Sequence, residues 1–181
     1  MYKTLKKLIL AAEFSVIIAV LSQFTFPLGI IPLTGQTFAI SCTATILGKK
    51  VGSTAVCMYL LLGVIGMPVF AGMSGGIGVL FGPTGGYLVG FVVQTWLIGS
   101  LMKHSGNHYL RVLLANWIGS VGALCCGTLW LMLSANLSFL HAITSGFLPF
   151  VFPEMVKSTM AASIGIILKK RLNRFHFTDV H

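Results

Sequence analysis

The sequence predicts an all-α integral membrane protein with six transmembrane helices, and three observations predict it. Of its 181 residues, 56% are hydrophobic and only 8% are charged, and the mean hydropathy is +0.94. A soluble domain carries about 25% charged residues, so the polar surface needed to face water is missing. The charges are also bunched: no Asp, Glu, Lys or Arg falls between Phe14 and Gly48, between Val51 and Met102, or between Val112 and Pro153. Those stretches are long enough for several segments of the ~20 apolar residues that cross a bilayer. Finally, the segments are apolar all round. They lack the polar face of a soluble amphipathic helix and the alternation of a membrane barrel.

The elements follow in order as one transmembrane domain over residues 1–181. A first helix spans roughly 5–26, behind Lys3, Lys6 and Lys7 and ahead of Pro27. Its start resembles a secretory signal, but it lacks a small-residue cleavage site and is long enough to span. A short second helix covers 33–48 and a third 51–66, with Lys49 and Lys50 between them. After a glycine-rich stretch come helices over 86–102, 110–133 and 153–168. Basic residues orient the bundle. With the N-terminus in the cytoplasm, inner-side segments carry eleven of the twelve Lys and Arg, including Lys103, Arg111, Lys169, Lys170, Arg171 and Arg174. The outer connections, around 27–32, 67–85 and 134–152, carry none. An odd number of helices would break that alternation, so both termini are placed in the cytoplasm and the chain in the cytoplasmic membrane.

A net charge of +9 raises the question of nucleic acid. The basic residues sit at the ends of apolar segments instead, so no nucleic-acid partner is predicted. Cys42, Cys57, Cys125 and Cys126 lie in apolar runs without metal-site or redox spacing. No metal and no cofactor are predicted.

The twelfth basic residue, Lys157, falls inside the outer end of the sixth helix, three residues after Glu154 and on nearly the same face. An ionisable side chain at membrane depth costs ~2.5–3.5 kcal/mol on insertion scales, so it faces a cavity or a partner. A ligand carboxylate against Lys157, with Glu154 accepting from ligand N–H groups, is one reading. The other is that the two pair with each other or that Lys157 snorkels. The stretch 66–86 (GMPVFAGMSGGIGVLFGPTGG) holds eight of the 21 glycines and two prolines. It is too apolar for a solvated linker and too glycine-rich for a helix. Irregular backbone at a membrane lines a cavity or is buried in protein. Its candidate ligand contacts are Phe70, Gly75, Gly76, Thr84, Gly85 and the following Tyr87, set against the plainer reading of a re-entrant packing turn. The connection 27–37 (PLGIIPLTGQT) offers Thr34, Gln36 and Thr37 on the same side, giving a shallow outer pocket with a loop as its lid, or an ordinary turn. On the first helix Ala11, Ser15 and Ala19 recur every four residues; such a stripe docks a second membrane subunit or another helix of the chain.

Enzyme readings are weak. Gly72, Met73, Ser74 and Gly75 match the G-x-S-G of intramembrane serine proteases, which need a histidine in reach of the serine. His104, His108, His176 and His181 fall on the opposite side, and His141 is in an outer connection. No P-loop motif occurs, so the chain does not hydrolyse nucleotide through one.

The run from Gly66 to Gly72 (GMPVFAG), continuing through Gly75 and Gly76 to Gly82–Leu88 (GPTGGYL), Gly90 and Phe91, resembles the signature of the BioY family. The PLTGQT segment over 32–37 and the six-helix layout agree, and the resemblance covers roughly residues 5–170. That family comprises biotin-specific substrate-binding subunits of energy-coupling-factor transporters. The resemblance implies a non-enzymatic subunit that binds biotin near the outer face for uptake. It also implies an energy-coupling transmembrane subunit and two cytoplasmic ATPases as partners, with the first-helix stripe as docking surface. The family often has an Asp where this chain has Glu154. A subunit for another small vitamin is the nearest alternative.

Overall fold

The computed structural model describes residues 2–102 and 108–174; Lys103, His104, His176 and His181 lie outside the described residues. The chain is mostly helical. Helix α1 (Tyr2–Ser22) leads into a small antiparallel hairpin of β1 (Thr25–Phe26) and β2 (Leu33–Thr34), with Thr25 opposite Thr34 and Phe26 opposite Leu33. Then follow α2 (Gln36–Val64), a 3-10 turn (Ala71–Met73), α3 (Gly78–Phe81), α4 (Gly85–Met102), α5 (Tyr109–Ser134), α6 (Phe139–Gly146) and α7 (Leu148–Arg174).

Four stretches are long and apolar enough to cross a membrane: Gln36–Val64, Gly85–Met102, Tyr109–Ser134 and Phe139–Leu172. Length would let α2 cross in one pass, but two observations show that it turns back. Gly48 adopts φ 71° and ψ −171°, outside helical space and in the region that favours glycine. Gln36 Nε2 donates to Tyr59 OH at 2.6 Å, although a straight helix would hold these residues ~35 Å apart at 1.5 Å per residue. So α2 is two arms, 36–47 and 49–64, lying side by side. The first arm starts after the hairpin, because residues 33–34 are spent on strand pairing.

Apolar side chains cover the outside of the bundle, and polar side chains are buried among its apolar core clusters. Leu5, Ile9, Val16 and Val20 on α1 and Leu110, Leu114, Ile118 and Leu129 on α5 are exposed. Ser41, Thr45, Gln94, Thr95, Asn116 and Ser158 are fully or almost fully buried at the α2–α4–α5–α7 interfaces. A bundle in water turns polar side chains outward; in hydrocarbon the polar groups seek each other and the apolar faces meet lipid. Asn116 Nδ2 thus bonds Thr45 Oγ1 at 3.1 Å and Val112 O at 2.8 Å.

The α1 stripe turns inward. Ala11 and Ser15 are buried and Ala19 is half-buried; Leu10 and Ala11 pack with Val51 and Ala55 of the second α2 arm. Those small side chains are what lets α1 lie close on α2, which favours the reading of the stripe as a contact within the chain.

Two features depart from the sequence expectation. The connection around 134–152 contains α6, capped by Ser138, whose Oγ accepts from His141 N at 3.4 Å. Helix α7 begins at Leu148 rather than 153 and carries Pro153 within it. Pro153 is the sixth residue of α7, where it withholds one backbone donor, and the helix continues through it.

A polar cluster at the end of an apolar cavity

The glycine-rich stretch folds into a plug. Phe70 is buried against Tyr59 with ring centroids 5.5 Å apart and planes at 79°, an edge-to-face arrangement. A side chain at Gly63 would occupy the space of the Phe70 ring, so glycine there admits it. The end of α1 fastens the segment from outside. Ser22 Oγ donates to Val69 O, Gln23 Nε2 donates to Phe70 O at 3.3 Å, and Met73 N donates to Gln23 Oε1 at 3.0 Å.

A cavity of about 150 Å³ lies between this plug, the hairpin and helices α2, α4, α5 and α7. Its walls are mostly apolar: Ile31, Phe70, Leu88, Phe91, Leu124 and Phe150. Tyr87 adds a ring whose OH is turned away, donating to Gly146 O at 2.7 Å. Polar groups gather at one end. Lys157 and Glu154 form a salt bridge one turn apart on α7. Thr37 Oγ1 donates to Glu154 Oε1 at 2.7 Å and accepts from Lys157 Nζ at 2.6 Å. Lys157 also donates to Thr34 O at 3.0 Å, tying α7 to the hairpin. An ammonium has three protons, so these partners use all of them. Glu154 is 4% exposed, and its Oε2 has no partner. Among the described residues the cluster therefore leaves one acceptor buried without a partner, in a setting where a missing hydrogen bond costs about 1–3 kcal/mol or more.

Of the residues expected from the sequence, the structure brings Thr34, Gln36, Phe70, Thr84, Tyr87, Glu154 and Lys157 to this cavity. Gly75, Gly76 and Gly85 stand outside its lining. Their stretch satisfies much of its own backbone: Gly76 N donates to Gly63 O at 2.7 Å and Gly85 N to Gly82 O at 3.1 Å. Gly75 and Gly85 instead give close passage past the carbonyls of Met67 and Leu80. The N–H groups of Gly76 and Gly85 are thus taken up in internal turns. Thr34 and Gln36 point their polar atoms partly at each other, with Thr34 Oγ1 donating to Gln36 Oε1 at 3.0 Å.

Sequence reasoning missed Gln94 and Ser120. Gln94 is fully buried beneath the cluster and its Nε2 reaches Ser41 Oγ at 2.9 Å, Ser120 Oγ at 3.2 Å and Thr37 O at 3.4 Å. The available signal was a Gln and a Ser deep inside otherwise apolar spans, where polar side chains seek partners. The serine-protease reading finds no support in the geometry. Ser74 Oγ donates to Ala71 O at 2.8 Å, while His141 Nδ1 meets Ser138 Oγ at 2.8 Å.

Lipid-facing apolar surfaces around a bundle that holds a mostly apolar cavity with a charged cluster at one end define a membrane protein built to hold a small amphipathic ligand. The family model for the BioY family matches residues 1–174. The chain belongs to that family, whose members are transporter components rather than enzymes. It is 40% identical over 169 residues to the biotin transporter BioY2 of Lactococcus lactis subsp. cremoris, covering 93% of each chain. To the biotin transporter BioY of Thermotoga maritima it is 39% identical, covering 92% of this chain and 97% of the relative. A crystal structure of the S-component for biotin from an ECF-type ABC transporter superposes with a TM-score of 0.87 at 26% identity, covering 93% of both chains.

Proposed function

We propose that this chain captures biotin for uptake, as the substrate-binding subunit of an energy-coupling-factor transporter in the cytoplasmic membrane. The observation that carries this reading is the amphipathic cavity. Its apolar walls suit a bicyclic ring and an alkyl tail, and the Glu154–Lys157–Thr37 cluster suits a ligand rich in N–H donors and carbonyl acceptors. The biotin transporters named among its relatives support the ligand. Thr34, Gln36, Phe70, Thr84, Tyr87, Glu154 and Lys157 are the proposed ligand residues. Because the Lys157 protons are spent within the protein, the acid of the pair is the better placed to meet the ligand, through ureido N–H groups on the Glu154 carboxylate.

Counting the two arms of α2 separately from α1, α4, α5 and α7 gives six membrane segments, with both termini in the cytoplasm. A cavity without a nucleotide site accumulates nothing by itself. Energy then comes from partners, an energy-coupling transmembrane subunit with two cytoplasmic ATPases, as the S-component relationship supports.

The test is equilibrium binding of radiolabelled biotin to the purified protein in detergent, with Glu154→Ala and Lys157→Ala alongside. Tight binding that either substitution abolishes is expected. No binding by folded wild type sinks the biotin assignment in favour of another vitamin. Tight binding that survives both substitutions keeps the function and leaves Glu154 and Lys157 as an internal ion pair.

A further inference from the structure

The hairpin beside the cavity ends in a turn with no polar side chain. Over 26–30 the chain reads FPLGI, and all five residues are exposed, Phe26 at 64%, Leu28 at 45% and Ile30 at 51%. Gly29 makes the bend at φ 81°, in the region that favours glycine. The polar side chains next to the turn face inward. Thr25 Oγ1 donates to Ser22 O at 2.8 Å, Gln23 Nε2 donates to Phe70 O at 3.3 Å, and Thr34 is buried. A loop in water shows the reverse, and an exposed apolar run of this length calls for an occupant.

Continuity with the lipid-facing surface is the first indication of what that occupant is. Val16 and Val20 are exposed on α1, and Phe24, four residues further on, is exposed beyond the helix end. No Asp, Glu, Lys or Arg lies between Phe14 and Gly48 to mark a boundary with water.

Depth is the second. Lys7, Lys50 and Arg111 stand near the starts of α1, the second α2 arm and α5, and basic residues at helix ends mark one membrane boundary. From that level α5 rises ~35 Å to Ser134, at 1.5 Å per residue. By the same measure α1 rises only ~22 Å to Ser22, and the α2 arm ~21 Å to Val64. The hydrocarbon core is ~30 Å thick, so α5 crosses it while α1 stops ~8 Å short. Phe24 N still bonds back to Leu21 O at 3.3 Å, so the hairpin begins inside that missing depth. Its return strand lines the cavity, which keeps it close over the helices.

The backbone sets how far the turn goes in. Pro27 and Pro32 have no N–H, and the N–H groups of Leu28, Gly29, Ile30 and Ile31 find no backbone acceptor among the described residues. Hydrocarbon would strand those donors. At the headgroup boundary they meet water and ester oxygens while the side chains dip among the acyl chains.

We propose that the turn over 26–30 inserts into the phospholipid leaflet at the end of the bundle opposite the termini, so that the bilayer itself holds the loop that lines the cavity. This rests on the membrane orientation proposed above and not on the identity of the ligand.

The experiment is spin labelling in vesicles of phosphatidylethanolamine and phosphatidylglycerol. Leu28→Cys and Ile30→Cys are made in a chain whose four cysteines are replaced by alanine. Each label is tested for collision with oxygen, which concentrates in lipid, and with a water-soluble nickel chelate. Oxygen is expected to dominate at both positions. Dominance of the chelate at either position overturns the proposal, because the turn then stands in water. Weak collision with both reagents also overturns it, since protein, such as a second copy of the chain, would then cover the turn. If the cysteine-free chain does not fold, Leu28→Trp in the otherwise unchanged protein replaces it. Brominated phospholipid should then quench the added emission, and added emission that it leaves unchanged overturns the proposal. Failure of wild type to bind biotin would sink the ligand reading and leave these outcomes as they are.

Discussion

Replacing Lys157 by Met removes a cation on which three groups depend while keeping most of the side-chain volume. Glu154 loses its counter-charge, Thr37 loses a donor and the Thr34 carbonyl loses its tie to α7. What remains is a carboxylate, 4% exposed, with one hydroxyl donor. Breaking a buried pair by removing one member costs about 3–5 kcal/mol, because the other charge stays uncompensated. In a domain of this size 1 kcal/mol moves Tm by about 2–4 °C, so the expected fall is roughly 6–20 °C. Substituting Glu154→Gln together with Lys157→Met removes both charges and should recover about half of that loss, since a buried pair is often worth little against neutral residues. A residue of about 1.5–3 kcal/mol should persist for the hydrogen bond from Lys157 to Thr34. The assay is thermal unfolding of ligand-free protein in detergent, followed by tryptophan fluorescence. A single variant melting with wild type, or a double variant melting as low as the single, refutes the reasoning. The first outcome would mean that water reaches Glu154, and the second that the loss was packing rather than charge.

Three further outcomes follow from the same geometry. Gly63→Ala sets a methyl group into the Phe70 ring and should cost about 1–3 kcal/mol by overpacking, lowering Tm and weakening ligand binding as the plug shifts. Ala11→Leu should destabilise the isolated chain by a similar amount, since that position packs on the second α2 arm; unchanged melting with loss of partner co-purification would instead return the stripe to a docking role. Tyr87→Phe leaves the Gly146 carbonyl without its donor and should cost about 1 kcal/mol, lowering Tm by about 2–4 °C, with ligand affinity changed less than twofold because the hydroxyl points away from the cavity.

The membrane class was readable because it depends on composition and on long gaps between charges, neither of which needs tertiary information. Lys157 stood out for the same reason, as the one cation outside the inner-side segments. The turn at Gly48 was also legible, since two lysines and a glycine interrupt an apolar run. What pairs with Lys157 was not legible. Thr34 and Thr37 are more than a hundred residues distant in sequence, and helix register alone decides that Thr37, rather than Gln36, faces α7. The glycine stretch misled for a related reason. Its abundance of glycine marks close backbone passage, and composition cannot distinguish passage beside a ligand from passage beside Met67 or Leu80. Gln94 and Ser120 were passed over because one polar side chain in an apolar helix has many possible partners, and only the packing of α2, α4, α5 and α7 selects them.

The bond from Lys157 to the Thr34 carbonyl gives the hairpin an unusual anchor. The loop over the cavity is pinned from α7 by the same ammonium that neutralises Glu154, so charge balance and loop position share a single atom. A ligand that engages Glu154 alters the electrostatic hold on that ammonium and thereby the grip on the loop. For the proposed ligand, engagement of Glu154 would thus act on the loop over a path no longer than one lysine side chain.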